Sequence, residues 1–258
     1  MDQADNGRQG ARRLPRALIA AALSALLVSA CTSPQDDGVP PPSPSSSPST
    51  SPEPTVAPLR EAREGWKVFT DPARLVSFEL PQEWVVQPLE AEPGAYTPDS
   101  LHYAVRTPEG ITTAEFHSGI QMAEPPCPDA ERAPYYVIGS EPLDLAGAPP
   151  AATDFGPRFV VRLITGFRFF GAFGVTDQVG GADGLACSLP NTVQGSDRLG
   201  RFSFGDLQVL VPKAPANTGP QTVSFGTIGE AEAYYGTPEF ATIREMIASV
   251  QVATDPEG

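Results

Sequence analysis

Residues 101–117 read LHYAVRTPEGITTAEFH. Leu101, Tyr103 and Val105 alternate with His102, Ala104 and Arg106, the period of a strand that buries one face. TPEG at 107–110 supplies turn chemistry, with proline in the second position and glycine in the fourth. Ile111 to His117 makes the return strand. The stretch reads as a β-hairpin, and a hairpin commits its sheet to antiparallel pairing. If Thr107 pairs with Gly110, His102 falls opposite Glu115, with His117 two residues further along the same face. Directly opposed Cβ atoms lie about 5 Å apart and same-face neighbours about 7 Å. These are the only histidines in the chain. His102, Glu115 and His117 can therefore supply the three protein ligands of a catalytic zinc site. Their face is the polar one, where His and Glu are expected as solvated cross-strand partners. No HExxH helix accompanies them. The solvated reading is preferred, and no cofactor is expected.

The rest of the folded region is mostly short strands and turns. Val76, Phe78 and Leu80 alternate with Ser77 and Glu79 as a half-buried strand ended by Pro81. Further strands are expected at Tyr135–Ile138, Phe159–Ile164, Phe167–Phe170, Leu207–Val211 and Thr222–Phe225. The clearest helix comes last. Thr237 can cap it, Pro238 takes the favoured first position, and Phe240, Ile243, Met246 and Ile247 form an apolar stripe. Val250 and Val252 then close the fold as a short strand. Many strands and few helices imply an α+β domain on an antiparallel sheet, with a β-sandwich as the alternative.

FTDPARLVSFELPQEWVV (69–86) resembles the opening of PsbP-like domains, where a phenylalanine-bearing strand leads to a proline and then a tryptophan strand. EAEAYYGTPEFATIREMIASVQV (230–252) is similar to their closing helix and final strand. The resemblance implies an αβα sandwich, a fold used in small exported lipoproteins. It carries no catalytic residues to transfer.

Before this domain lies a different kind of sequence. Arg8, Arg12, Arg13 and Arg16 precede a run from Ala17 to Val28 that is apolar except at Ser24. A spanning helix needs about 20 apolar residues, so the run has the length and flanks of a secretory signal peptide. It ends in Val28-Ser29-Ala30-Cys31, which resembles the lipobox of bacterial lipoprotein precursors. The resemblance implies cleavage after Ala30 and acylation of Cys31, leaving the chain anchored on the extracytoplasmic face of the cell membrane. Two or more acyl chains make such attachment lasting. Residues 1–30 are thus expected to be the signal peptide, and 31–58 a Pro/Ser-rich tether. That tether has too little to bury to offset its conformational entropy. As a coil it spans roughly 30 Å, and fully extended about 80 Å. Residues 59–254 form a single domain, with 255–258 as a tail.

With Cys31 acylated, Cys127 and Cys187 remain. In an oxidising compartment an even pair reads as one disulfide, here between two turn-rich segments. The chain carries 17 basic and 31 acidic residues. Such a surface is repelled by nucleic acid, which excludes that class of partner.

Catalytic motifs are absent from the sequence. No Gly-x-Ser-x-Gly elbow occurs. DFG at 154–156 lacks the other kinase elements, and VGGADG at 179–184 lacks the spacing of a phosphate loop. GFRFFGAFG at 166–174, Trp66 and Trp84 are expected in the core. Arg158 and Arg162 share one face of a strand; in so acidic a chain, ion pairs are their expected fate. The sequence thus points to a membrane-anchored lipoprotein that binds a small ligand or an envelope protein. A surface metal-dependent hydrolase and a small solute-binding lipoprotein are the alternatives.

Overall fold

The computed structural model describes residues 61–122, 126–145, 155–181, 183–213 and 223–254. The expected signal peptide, Cys31, the tether, Leu59, Asp154, Ala182, Thr222 and the tail lie outside the described residues. Among the described residues, the first strands are β1 (Trp66–Thr70) and β2 (Val76–Pro81). Next are β3 (Val85–Pro88), β4 (His102–Arg106) and β5 (Thr112–His117), then a single 3-10 turn at Asp129–Glu131. Three longer strands follow, β6 (Ala133–Pro142), β7 (Arg158–Thr165) and β8 (Phe169–Thr176). Short ones are β9 (Leu185–Ala186), β10 (Leu189–Pro190) and β11 (Val193–Gln194). The chain closes with β12 (Arg201–Gly205), β13 (Val209–Leu210), β14 (Val223–Phe225), α1 (Ile228–Tyr235), α2 (Pro238–Ala248) and β15 (Gln251–Val252).

All described strand pairs are antiparallel. The large sheet runs β3-β4-β5-β12-β8-β7-β6-β9, with β11 on β12 and β14 on β8. A small sheet, β1-β2-β15, covers part of one face of it, and α1 and α2 cover more. With two helices among the described residues, the α+β expectation holds. The main core lies between these layers. Phe78 of β2 meets Phe204 of β12 at 4.7 Å between centroids, and Phe240 of α2 meets Phe173 of β8 at 5.0 Å. On the opposite face a smaller cluster joins Ile164, Phe170 and Ala172 to Leu189 and Leu210.

Local chemistry explains the best-formed elements. Thr237 caps α2 by accepting from the Phe240 N–H, Pro238 starts the helix, and Phe240, Met246 and Ile247 are buried. Asp71 organises the β1–β2 turn: its buried carboxylate accepts the N–H groups of Ala73, Leu75 and Val76. The half-buried reading of β2 is corrected, because Ser77 and Glu79 are also buried. β2 is the middle strand of its sheet, and Arg63 and Ser249 close over its outer face, Arg63 donating to the Glu79 carboxylate and Ser249 Oγ accepting the Glu79 N–H. The strand expected from Phe167 starts two residues later, at Phe169. Phe167 lies in the β7–β8 turn at 79 % exposure, while Phe170 and Phe173 are core. Trp66 and Trp84 pack partly buried against the main core.

β12 holds the large sheet together. It pairs with β5 over Ser203, Phe204 and Gly205, but with β8 only where Gly205 meets Gly174. A Cβ on Gly205 would stand 2.2 Å from the Phe173 carbonyl oxygen, so this crossing admits no side chain. One residue on, the Asp206 side chain replaces the missing ladder: its Oδ1 accepts the Phe173 N–H at 2.8 Å. Burial pushes this carboxyl well above the usual carboxylate range, and its Oδ2 has no partner. β14 then takes up β8 from Gly171 onward.

Cys127 and Cys187 form a disulfide, closing a loop across a sequence separation of 60 and pinning the segments that lead into the β6–β9 pair. Two predictions follow from these ties. Replacing both cysteines with serine should cost about 4 kcal/mol on the chain-entropy account, read as a fall in the urea midpoint of the oxidised chain. Asp206→Asn keeps the acceptor for Phe173 but has no charge to bury. A carboxyl with a raised folded pKa costs stability as pH rises above its unfolded value near 3.8. The asparagine variant should therefore be the more stable at neutral pH, with its advantage shrinking as pH falls toward that value. Equal stabilities at neutral pH would show that Asp206 carries no such cost.

Candidate functional site

The hairpin forms, but its register differs from the simple one. Gly110, at φ 81°, donates to the Thr107 carbonyl, while Thr107 N–H pairs with Ile111. A second irregularity between Val105 and Arg106 skips Thr113. His102 is consequently opposite His117, and Ala104 is opposite Glu115. The total slip is two residues, which preserves the face each side chain takes. His102, Glu115 and His117 are therefore brought together as expected, with Ser203 of β12 added beside His117.

That face is not solvated, which corrects the preferred reading. His102 is only 7 % exposed. The connection from β3 to β4, residues 89–101, folds across it and is stitched to the far end of β5 by Thr97 N–H to Gly119 O and Gln121 N–H to Ala95 O. Gly119 is required there: its φ is 63° and a Cβ would lie 2.2 Å from Thr97 Oγ1. Tyr96 brings its ring edge-on to His102 at 4.3 Å and parallel to His117 at 5.7 Å, and its hydroxyl accepts from Gln208 Nε2.

The imidazoles belong to a chain of four side chains. Ser100 Oγ is 2.7 Å from His102 Nε2, the two Nδ1 atoms are 2.9 Å apart, and His117 Nε2 is 3.2 Å from Glu115 Oε2. With Glu115 as a carboxylate, each proton has one place. Nε2–H of His117 donates to Glu115, so its Nδ1 must accept from His102 Nδ1–H. His102 Nε2 then accepts from the Ser100 hydroxyl. Sequence reasoning missed Ser100, which carries no motif and stands just before the hairpin.

This arrangement commits all four ring nitrogens to hydrogen bonds. Among the described residues, no group of three or more His, Cys, Asp or Glu side chains is placed to hold a metal ion. The chain polarises the Ser100 hydroxyl, but the nearby N–H groups of Leu101, Ser118 and Gly119 are committed to Ser118 Oγ, Leu101 O and Leu199 O. None of these three is available to an oxyanion.

Beside His117 opens a groove of about 530 Å³. Tyr96, Glu115, His117, Ser203 and Gln208 line it, with Glu90 and Glu92 at its exposed rim. Ser203 is 3 % exposed and its Oγ has no hydrogen-bond partner.

Among the described residues, neither Arg158 nor Arg162 forms the expected ion pair. Arg162 is buried without a carboxylate, donating to Pro190 O and Asn191 Oδ1, and burial lowers its pKa to about 10. Arg158 donates to Ser140 Oγ and lies over the Phe155 ring. Comparison with models of known families, with curated proteins and with solved structures gives no match.

Burial, reinforced by neighbouring His117, lowers the His102 pKa below 6.5. A histidine with a depressed folded pKa contributes stability that is complete above its unfolded value and is lost as pH falls through the folded one. The unfolding free energy should therefore be flat with respect to His102 above pH 6.5 and decline below it. Urea titrations across that range should show a shallower decline in His102→Gln. Identical slopes would remove His102 from the acid response.

Proposed function

We propose that this chain is a lipid-anchored extracytoplasmic binding module whose ligand seat is the groove beside His117. The observation that carries the binding reading is that groove: a concavity of small-molecule size, walled by convergent polar groups whose proton positions are set by a continuous chain. Ser203, in its wall, has a buried hydroxyl with no hydrogen-bond partner among the described residues. The commitment of the Leu101, Ser118 and Gly119 N–H groups favours binding over acyl transfer. The Cys127–Cys187 disulfide supports an extracytoplasmic setting. Membrane attachment rests on the sequence from Arg8 to Cys31. A relation to PsbP-like domains rests on the two ends of the fold, β2 with Trp84 and β3, and α2 with β15.

Two measurements test this reading. Intact mass of the chain recovered from its own membrane should begin at Cys31 and carry at least two acyl chains, and Cys31→Ala should be released from the membrane. A bare Cys31, or an unprocessed chain in the cytosol, overturns the anchor. Native mass spectrometry of the full chain should show a small-molecule adduct that is lost when Ser203→Val fills the groove wall, with folding checked by circular dichroism. Absence of any adduct from the parent chain overturns the binding reading.

A further inference from the structure

The groove has a definite sign, and this deepens the binding reading on which it rests. Its lining includes Glu90, Glu92 and Glu115, and no lysine or arginine. Glu90 and Glu92 are exposed at the mouth, and Glu115 is half-buried further in. Asp206 also borders the groove, but its Oδ1 is given to Phe173 N–H and burial favours its neutral form, so it is left out of the charge. His117 donates one N–H to Glu115 and takes one from His102, which leaves it no free donor for an anion.

The buried wall offers a contact that such an occupant can use. Ser203 stands directly across from His117 in the β5–β12 pairing, on the face that borders the groove, and its Oγ is unpartnered. The three carboxylates only accept, and the Ser203 hydroxyl is free to accept a hydrogen bond as well as to donate one. An occupant that brings N–H donors and positive charge meets both conditions, whereas an anion would face three glutamates. Because no group of three His, Cys, Asp or Glu side chains among the described residues is placed for a metal ion, the charge is better supplied by an organic cation.

We infer that the groove binds a small organic cation carrying one or more primary ammonium groups, held by Glu90, Glu92 and Glu115 with Ser203 accepting a donor at the wall.

The test uses three linear four-carbon probes that differ in charge: butanediamine, butanediol and succinate. Each is titrated by calorimetry into the full chain in detergent. The diamine should bind saturably, and more weakly in raised salt. Butanediol and succinate should not bind. The double variant Glu90→Gln/Glu92→Gln changes exposed positions only, so its fold should be intact by circular dichroism. It should lose about tenfold in diamine affinity, since two exposed charge contacts are removed. Failure of the diamine to saturate, equal binding of butanediol, or unchanged affinity in the double variant overturns the inference. If the chain instead holds a neutral or anionic small molecule that Ser203→Val displaces, the groove reading stands and the cationic one falls. A chain that binds none of the probes and carries no adduct sinks both.

Discussion

The large sheet depends on a close approach between two backbones. β12 has β3, β4 and β5 on one side and β8, β7, β6 and β9 on the other, yet it meets β8 only at the Gly205–Gly174 contact. A side chain on Gly205 would strike the Phe173 carbonyl, so the strands could not close to pairing distance. Asp206 completes the seam by giving its carboxyl oxygen to a ladder N–H that β12 no longer reaches. Phe202 and Phe204 can point into the common core because this seam holds. The same alternation turns Ser203 toward the opposite face, beside His117.

Core and site are therefore two faces of the same three strands. On one side Tyr103, Val105, Ala114, Phe116, Phe202 and Phe204 contribute to the main apolar cluster. On the other, His102, Glu115, His117 and Ser203 lie under or beside the connection that carries Tyr96. Burial of His102 disfavours its charged form, and Glu115 supplies the acceptor that sets the direction of the neutral chain. A polar row this close to an apolar core stays neutral only while each ring nitrogen has a partner. That requirement ties the shape of the covering segment to the electrostatics beneath it.

Much of this was legible where the chemistry is local. Period-two alternation announced β4, the TPEG turn announced β5 as its return strand, and the Thr237-Pro238 pair announced α2. The Cys127–Cys187 bridge followed from the count of cysteines left once Cys31 is assigned to the expected lipobox. β12 was not anticipated. RFSFG (201–205) ends in glycine and has serine at its centre, and its importance comes from strands distant in sequence. The histidine pair was placed on the right face with the wrong neighbour. An expected turn of two central residues became a wider one with a bulge, and the combined slip happened to be even. Burial of that face had no local signal at all, because the residues that cover it belong to a connection read only as a gap between strands. Arg162 misled for a similar reason: its partners are the carbonyl of Pro190, at the end of β10, and the amide of Asn191 after it, not an acid.

β6 shows how the fold treats its open margin. β9 covers only Ala133 and Pro134, so most of this ten-residue strand forms the border of the sheet, with Tyr136 and Val137 substantially exposed. A flat border of that length would invite a strand from another molecule to add on, the first step of aggregation. Pro134 and Pro142 remove amide donors near each end, and the irregularity between Val137 and Gly139 breaks the regular spacing between them. An incoming strand would find no long uninterrupted run of hydrogen-bonding groups, which makes this apolar margin a poor template for addition.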